Sequence, residues 1–279
     1  MNSLSLVDSV LDPPVPENAD WFVSEAPFHI LMDGAGPKNN LEFRGFPNSA
    51  VWLVRQFASE FVRSLKREFP TFTHRLEYCR EKLCDEYSAV MQLNGQKIDR
   101  ALVPIACLIA LQEHESFYEL LNIGDSVSLI KYKSGEIEKF GWNQIALLDQ
   151  KVLAELNRLK NSISLTHDQA VKRIWPSIEK NRMQANEMPG YDVISPCVSM
   201  FGRLERKMIE KSSVESILLM SDGYWRLIDT FGLLEPWQLF EGLTNNTTLL
   251  RKHESLDIHC DRTIRIKVSD DVSAMLLST

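Results

Sequence analysis

The chain has 279 residues, 44% of them hydrophobic and 25% charged, with 31 Lys plus Arg against 38 Asp plus Glu and a net charge of −7. This is the composition of a folded globular protein, and it excludes a disordered or low-complexity chain. The acidic balance argues against a nucleic-acid partner that needs a broad positive field, and it suits a protein that gathers hard cations.

Residues 1–11 have no basic region and include Asp8, so they do not read as a secretory signal. No apolar run approaches the ~20 residues of a membrane span, so no membrane partner is expected. The five cysteines (Cys79, Cys84, Cys107, Cys197 and Cys260) are scattered, with neither zinc nor redox CxxC spacing. They read as free thiols of a reducing cytoplasm.

In chain order, the first 20 residues read as turn-rich, passing through Asp12-Pro13-Pro14-Val15-Pro16 and ending at Asp20. Residues 21–23 and 28–32 read as short strands, the second running into Asp33-Gly34. After a loop rich in Gly, Pro and Asn, Ser49 is placed to cap a helix whose apolar residues recur at three- and four-residue spacing from Val51 to Phe69. A second amphipathic helix is predicted over 74–92, closed by Asn94-Gly95. The period then shortens: strands are expected at 102–111, 116–123 and 127–132, with a Ser134-Gly135 hairpin turn leading into 136–140. Helical spacing returns over 145–185, where Thr166 caps the second helix and Pro176 kinks or ends it. No element is predicted over 183–215. A strand at 216–220 runs into Ser221-Asp222-Gly223, helices are predicted near Pro236 and over 247–256, and a last strand covers 272–277. This order predicts an α+β protein in which helices pack on antiparallel sheets.

One pattern recurs at distant points. Apolar strands end in an Asp with Gly beside it: Met32-Asp33-Gly34, Ile123-Gly124-Asp125 and Met220-Ser221-Asp222-Gly223. Asp20 and Asp270-Asp271 stand just before strands. Singly, each Asp-Gly is an ordinary turn. Converging on one rim, they would repel by several kcal/mol once desolvated. Mg²⁺ or Mn²⁺, hard ions that favour carboxylate and carbonyl oxygen, would relieve that repulsion. Zinc is disfavoured, because only six scattered His and no HExxH are present.

These segments together resemble the metal-dependent protein Ser/Thr phosphatases (the PPM, or type 2C, family) in their compact bacterial form. The matching stretches are Glu17-Asn18-Ala19-Asp20, Phe28-His29-Ile30-Leu31-Met32-Asp33-Gly34-Ala35-Gly36, Ile123-Gly124-Asp125-Ser126, Ser221-Asp222-Gly223-Tyr224-Trp225 and Asp270-Asp271-Val272-Ser273, in the family order. The resemblance implies a β-sandwich of two antiparallel sheets flanked by helix pairs, in α/β/β/α layers. Residues 1–279 would form a single phosphatase-like domain, with 141–215 a divergent flap or helical insertion. It implies that Asp33 bridges two Mg²⁺ or Mn²⁺ ions, that the Gly34 carbonyl binds one of them, and that Asp222 and Asp270 complete the other. Asp20 would hold water beside the metals, and Asp125 belongs with a more weakly bound third ion. The implied activity is hydrolysis of phosphoserine or phosphothreonine in proteins by a metal-bridging hydroxide, without a covalent intermediate. The implied partner is a phosphoprotein, with a cognate Ser/Thr kinase opposing the enzyme.

The sequence also departs from the family pattern. No Arg precedes the first Asp; Arg44 reads first as a solvated loop residue and second as a stand-in. Ala35 stands where many members have a His, so no general acid is assigned. Arg226 replaces an Asp that helps hold the third ion, and its charge near that position would disfavour a cation. The alternative function is therefore a catalytically weak pseudophosphatase that binds and regulates a phosphoprotein.

Overall fold

The structure, a computed structural model, describes residues 3–13, 18–37, 43–95, 97–141, 145–162, 165–199, 202–259 and 265–279. Among the described residues, two five-stranded antiparallel sheets face each other. One has the order β2 (Asp20–Glu25), β3 (Phe28–Ala35), β4 (Ile105–Glu113), β5 (Phe117–Ile123) and β8 (Glu205–Glu210). The other has the order β1 (Ser5–Asp12), β10 (Val272–Ser278), β9 (Val214–Met220), β6 (Val127–Tyr132) and β7 (Ile137–Phe140).

The two-residue alternation of strands sorts their side chains into three layers. From β3, Leu31 points between the sheets with Ile109, Leu111 and Leu120, and there it meets Ile217, Leu219, Met275 and Leu277 of the opposite sheet. Burying a leucine such as Leu31, which has no exposure, contributes about 2–3 kcal/mol. Its neighbours Ile30 and Met32 point the other way, onto helices α1 (Ser49–Ser64) and α2 (Phe72–Leu93), whose Val54, Phe57, Phe61, Leu76 and Leu83 form the second layer. On the far face, Leu218, Met220 and Ala274 pack beneath Tyr224 and Leu227 of α5 (Asp222–Asp229) and Leu243 and Leu250 of α6 (Leu243–His259). The layering is α/β/β/α.

Local chemistry sets the helix ends. The cap of α1 is Asn48, one residue earlier than predicted: its side chain accepts from the Val51 N–H at 2.9 Å while its backbone is extended. Thr71 does the same for α2, accepting from the His74 N–H at 3.2 Å. Helices α3 (Ala146–Ser162) and α4 (His167–Arg182) pack on each other through Val152, Leu156, Leu159, Ala170 and Ile174. Thr166 and Gln169 close a capping box at the start of α4. Pro176 does not end this helix, which continues to Arg182.

Three expectations are corrected. The turn-rich reading of the first 20 residues misses β1, an eight-residue strand paired with β10. The unassigned stretch 183–215, within the segment 141–215 read as flap or insertion, contains β8, which pairs with β5 at the sheet edge. Pro236–Phe240 is a short 3-10 turn rather than an α-helix. Of the cysteines, Cys79, Cys84, Cys107 and Cys197 are free thiols, and Cys260 lies outside the described residues, as does Glu17 of the first motif. No described helix is long and apolar enough to cross a membrane.

Candidate metal centre

The strand-end aspartates lie at one rim of the sandwich because of how the strands are registered. Asp20 opens β2 and pairs across the ladder with Asp33 near the end of β3. Asp33 in turn pairs with Cys107 of β4. Gly34 brings the backbone close: its N–H donates to the Ala19 carbonyl at 3.1 Å, and a Cβ at this position would come within 2.6 Å of that oxygen. Asp125 leaves β5 through Gly124, whose φ of +92° only glycine adopts without strain and whose missing side chain leaves room for the Cys107 thiol.

The other sheet supplies Asp222 and Asp270. Asp222 begins α5 directly after β9. Ser221 and Ser273 lock that turn to β10: the Ser221 N–H donates to the Ser273 carbonyl, and the Ser273 N–H to Ser221 Oγ, both at 3.0 Å. Gly223 is required where the chain meets Asp271, since a Cβ there would lie 1.9 Å from the Asp271 carbonyl oxygen. Two contacts join the sheets across the rim. Ser273 Oγ donates to Asp20 Oδ2 at 2.8 Å, and the Ala19 N–H donates to Asp271 Oδ2 at 3.0 Å.

The electrostatics follow from this gathering. Burial pushes the Asp33 carboxyl well above the usual range, and the charges of Asp20, Asp222, Asp125 and Asp270 push it further. Asp20, with no exposed surface, is raised to about 8 by burial and by Asp271 and Asp270, against the lowering bond from Ser273. Asp125 is raised to about 7 by burial and by Asp222 and Asp149, with the Cys107 thiol bonding to it. The structure thus brings all five sequence-read aspartates, Asp20, Asp33, Asp125, Asp222 and Asp270, within electrostatic reach of one another.

Four residues of this rim carried no motif. Asp149, in the first turn of α3, is raised to about 6 by burial and by Asp222, opposed by Arg265. Cys107 is held as a neutral thiol by burial and by Asp125 and Asp33. Arg265 Nη2 lies 3.2 Å from Asp222 Oδ2, and Lys267 Nζ lies 2.5 Å from Asp270 Oδ1. Only the spacing of Lys267 from Asp270 was available as a signal, and it is a common one. One other sequence reading changes. Arg226 does not present its charge as a bare repulsive group: it is buried against Glu254 of α6, with Nη1 2.8 Å from Oε1. Arg44, read first as a solvated loop residue, is half-exposed and pairs its guanidinium with Glu86 of α2 at 2.5 Å.

Neither a protein-family model nor a curated protein matches the sequence. Solved structures do. The Mycobacterium tuberculosis serine/threonine phosphatase PstP/Ppp aligns over 99% of this chain and 98% of its own at 14% identity, with a TM-score of 0.56. The chain has the type 2C phosphatase fold. Staphylococcus aureus Stp1, a serine/threonine phosphatase, matches the type 2C fold over 100% of this chain and 97% of its own at 15% identity, with a TM-score of 0.53. The PstP catalytic domain in complex with two manganese ions matches over 99% and 97% at 14% identity, with a TM-score of 0.52.

Divalent ions fit the residues present on two observations. Asp20 Oδ1 is buried without a hydrogen-bond partner among the described residues, so a carboxylate oxygen of this rim is left with nothing to satisfy it. Asp33 is half-buried among four other carboxyls, a placement that favours a cation of high charge. The cradle is not closed in this form. Among the described residues, no three His, Cys, Asp or Glu side chains already converge as a ready ligand set, and Asp222 and Asp270 are held by Arg265 and Lys267.

Proposed function

We propose that this chain is a Mg²⁺- or Mn²⁺-dependent phosphatase that hydrolyses phosphoserine and phosphothreonine in proteins, in the cytoplasm, opposite a Ser/Thr kinase. One observation carries the reading: Asp33 lies half-buried amid the charges of Asp20, Asp125, Asp222 and Asp270, which come from separate stretches of a chain with the type 2C fold. We take residues 1–279 as one phosphatase-like domain, whose variable part is 141–215 without strand β8.

Bound at these carboxylates, two divalent ions would supply Lewis acidity and lower the pKa of a water at neutral pH. Asp33, the Gly34 carbonyl, Asp222 and Asp270 would hold them. Asp20 accepts from Ser273 on Oδ2 while its buried Oδ1 has no partner among the described residues, which supports a role for it in orienting water. Asp33 and Asp20 must give up protons when cations arrive, because burial and mutual charge favour their neutral forms. Cys107, a cysteine of this rim, is held neutral and is not activated as a nucleophile.

The test is hydrolysis of p-nitrophenyl phosphate and a phosphothreonine peptide in Mn²⁺. Turnover that is lost on chelation and in Asp222→Asn supports the reading. The ion pairs of Lys267 and Arg265 on two expected ligands are what favours the second reading, a pseudophosphatase that regulates a phosphoprotein. That reading wins if the protein binds Mn²⁺ and turns over neither substrate.

A further inference from the structure

The rim carries two cations, both on the segment that leads into β10. Lys267 Nζ sits 2.5 Å from Asp270 Oδ1, and the charges of Asp33 and Asp222 also act on it. Arg265 places Nη2 3.2 Å from Asp222 Oδ2 and Nη1 3.4 Å from Thr230 Oγ1, under the added charges of Asp229, Asp270 and Asp149. Packing delivers these side chains to the cradle. The buried Arg226 donates to the Val268 carbonyl at 3.3 Å, His167 Nε2 bonds the Ile266 carbonyl at 3.1 Å, and Ile266 packs on the α3–α4 cluster. The Lys267 side chain is 58% exposed, so its ammonium has water to move into if another cation takes its place.

We propose that Lys267 and Arg265 are built-in counter-cations of the acidic cradle, which compete with divalent ions for Asp270 and Asp222 and so set the metal concentration that this site demands. The proposal rests on the metal reading above and deepens it. A carboxylate oxygen that accepts from an ammonium or guanidinium cannot at the same time give that lone pair to a metal, and the displaced charge still repels the incoming ion. Without metal, the two monovalent charges offset part of the repulsion among the five carboxyls. With metal, each becomes a cost. The same side chains therefore stabilise one form and weaken the other, which a purely structural role does not do.

The experiment uses the full chain with Lys267→Met, which removes the charge and keeps the length, and Lys267→Arg, which keeps the charge. Mn²⁺ is titrated by calorimetry, and melting is followed in chelator and in saturating Mn²⁺. Lys267→Met is expected to bind Mn²⁺ about fivefold more tightly, the worth of one partly exposed ion pair. Its melting temperature should fall below wild type in chelator and should not fall below it in Mn²⁺. Lys267→Arg should keep wild-type affinity. Arg265→Met is a second variant with the same expected direction. Equal or weaker Mn²⁺ affinity in both Met variants, with normal binding by wild type, overturns this inference alone. Absence of Mn²⁺ binding in wild type and variants overturns it together with the metal reading.

Discussion

Asp33→Asn removes the central charge of the cradle and should make the metal-free protein more stable at pH 8. Asp33 and Asp20 are directly paired across β2 and β3, and side chains so paired have Cβ atoms about 5 Å apart. Two charges at that spacing repel by about 3 kcal/mol at an effective dielectric of 20. Because burial and mutual charge raise both carboxyls, Asp20 to about 8, only part of that repulsion is present at pH 8; a gain of about 1–3 kcal/mol is expected, which raises the melting temperature by several degrees in a protein of this size. The size of the gain depends on pH. The Asp33 carboxyl is held well above its ordinary range, so acidification favours its neutral form in wild type and the advantage of the amide shrinks towards pH 5. Mn²⁺ reverses the order, since wild type gains a bound ion and the variant does not. The assay is calorimetric melting at pH 5 and pH 8, each in chelator and in Mn²⁺. An Asp33→Asn protein that melts below wild type at pH 8 in chelator, or that Mn²⁺ stabilises as much as wild type, refutes the reasoning.

The wild-type protein in chelator should itself lose stability as pH rises. Asp149, Asp125 and Asp20 are raised to about 6, 7 and 8, so the folded state holds protons that the unfolded chain releases near 4, and stability present at pH 4 is lost progressively up to about pH 8. A melting temperature that is flat or rising over that range would count against the cradle. Gly223→Ala would place a Cβ 1.9 Å from the Asp271 carbonyl oxygen; a loss of about 2 kcal/mol or more in urea unfolding, with weakened Mn²⁺ binding, is expected. Glu254→Ala would leave the Arg226 guanidinium, 2% exposed, without its carboxylate, and should cost about 3–5 kcal/mol by the same measurement.

The central strands were legible because they are buried on both faces. β3, β4, β5 and β9 read as apolar runs, and β3, β5 and β9 end in or near an aspartate of the cradle. Two of the four described edge strands, β1 and β8, were not legible. β1 carries Ser5, Asp8, Ser9 and Asp12, and β8 is Glu-Arg-Lys-Met-Ile-Glu. Charged and polar side chains protect an exposed edge from pairing with another chain, and they erase the alternation by which a strand is recognised. Helix α4 escaped its proline because tertiary packing of Ala170 and Ile174 before it and Ile178 after it holds the helix on both sides of position 176. In the site, Asp20, Asp33, Asp125, Asp222 and Asp270 were readable from strand ends. Asp149, Cys107, Arg265 and Lys267 were not, because they reach the rim by helix docking, a cross-strand partner and a bent segment, and no spacing in the sequence encodes that meeting. Arg226 was visible as a departure, but its partner Glu254 on α6 was not, so its charge read as repulsion where folding makes it half of a buried pair.

Calorimetric titration of the metal-free wild-type protein with Mn²⁺ at pH 8 tests the central claim most directly. The account predicts two ions bound per chain, with protons released as Asp20 and Asp33 ionise, so that the measured heat changes with the ionisation enthalpy of the buffer. No binding, or binding that persists unchanged in Asp33→Asn and Asp222→Asn, would contradict it.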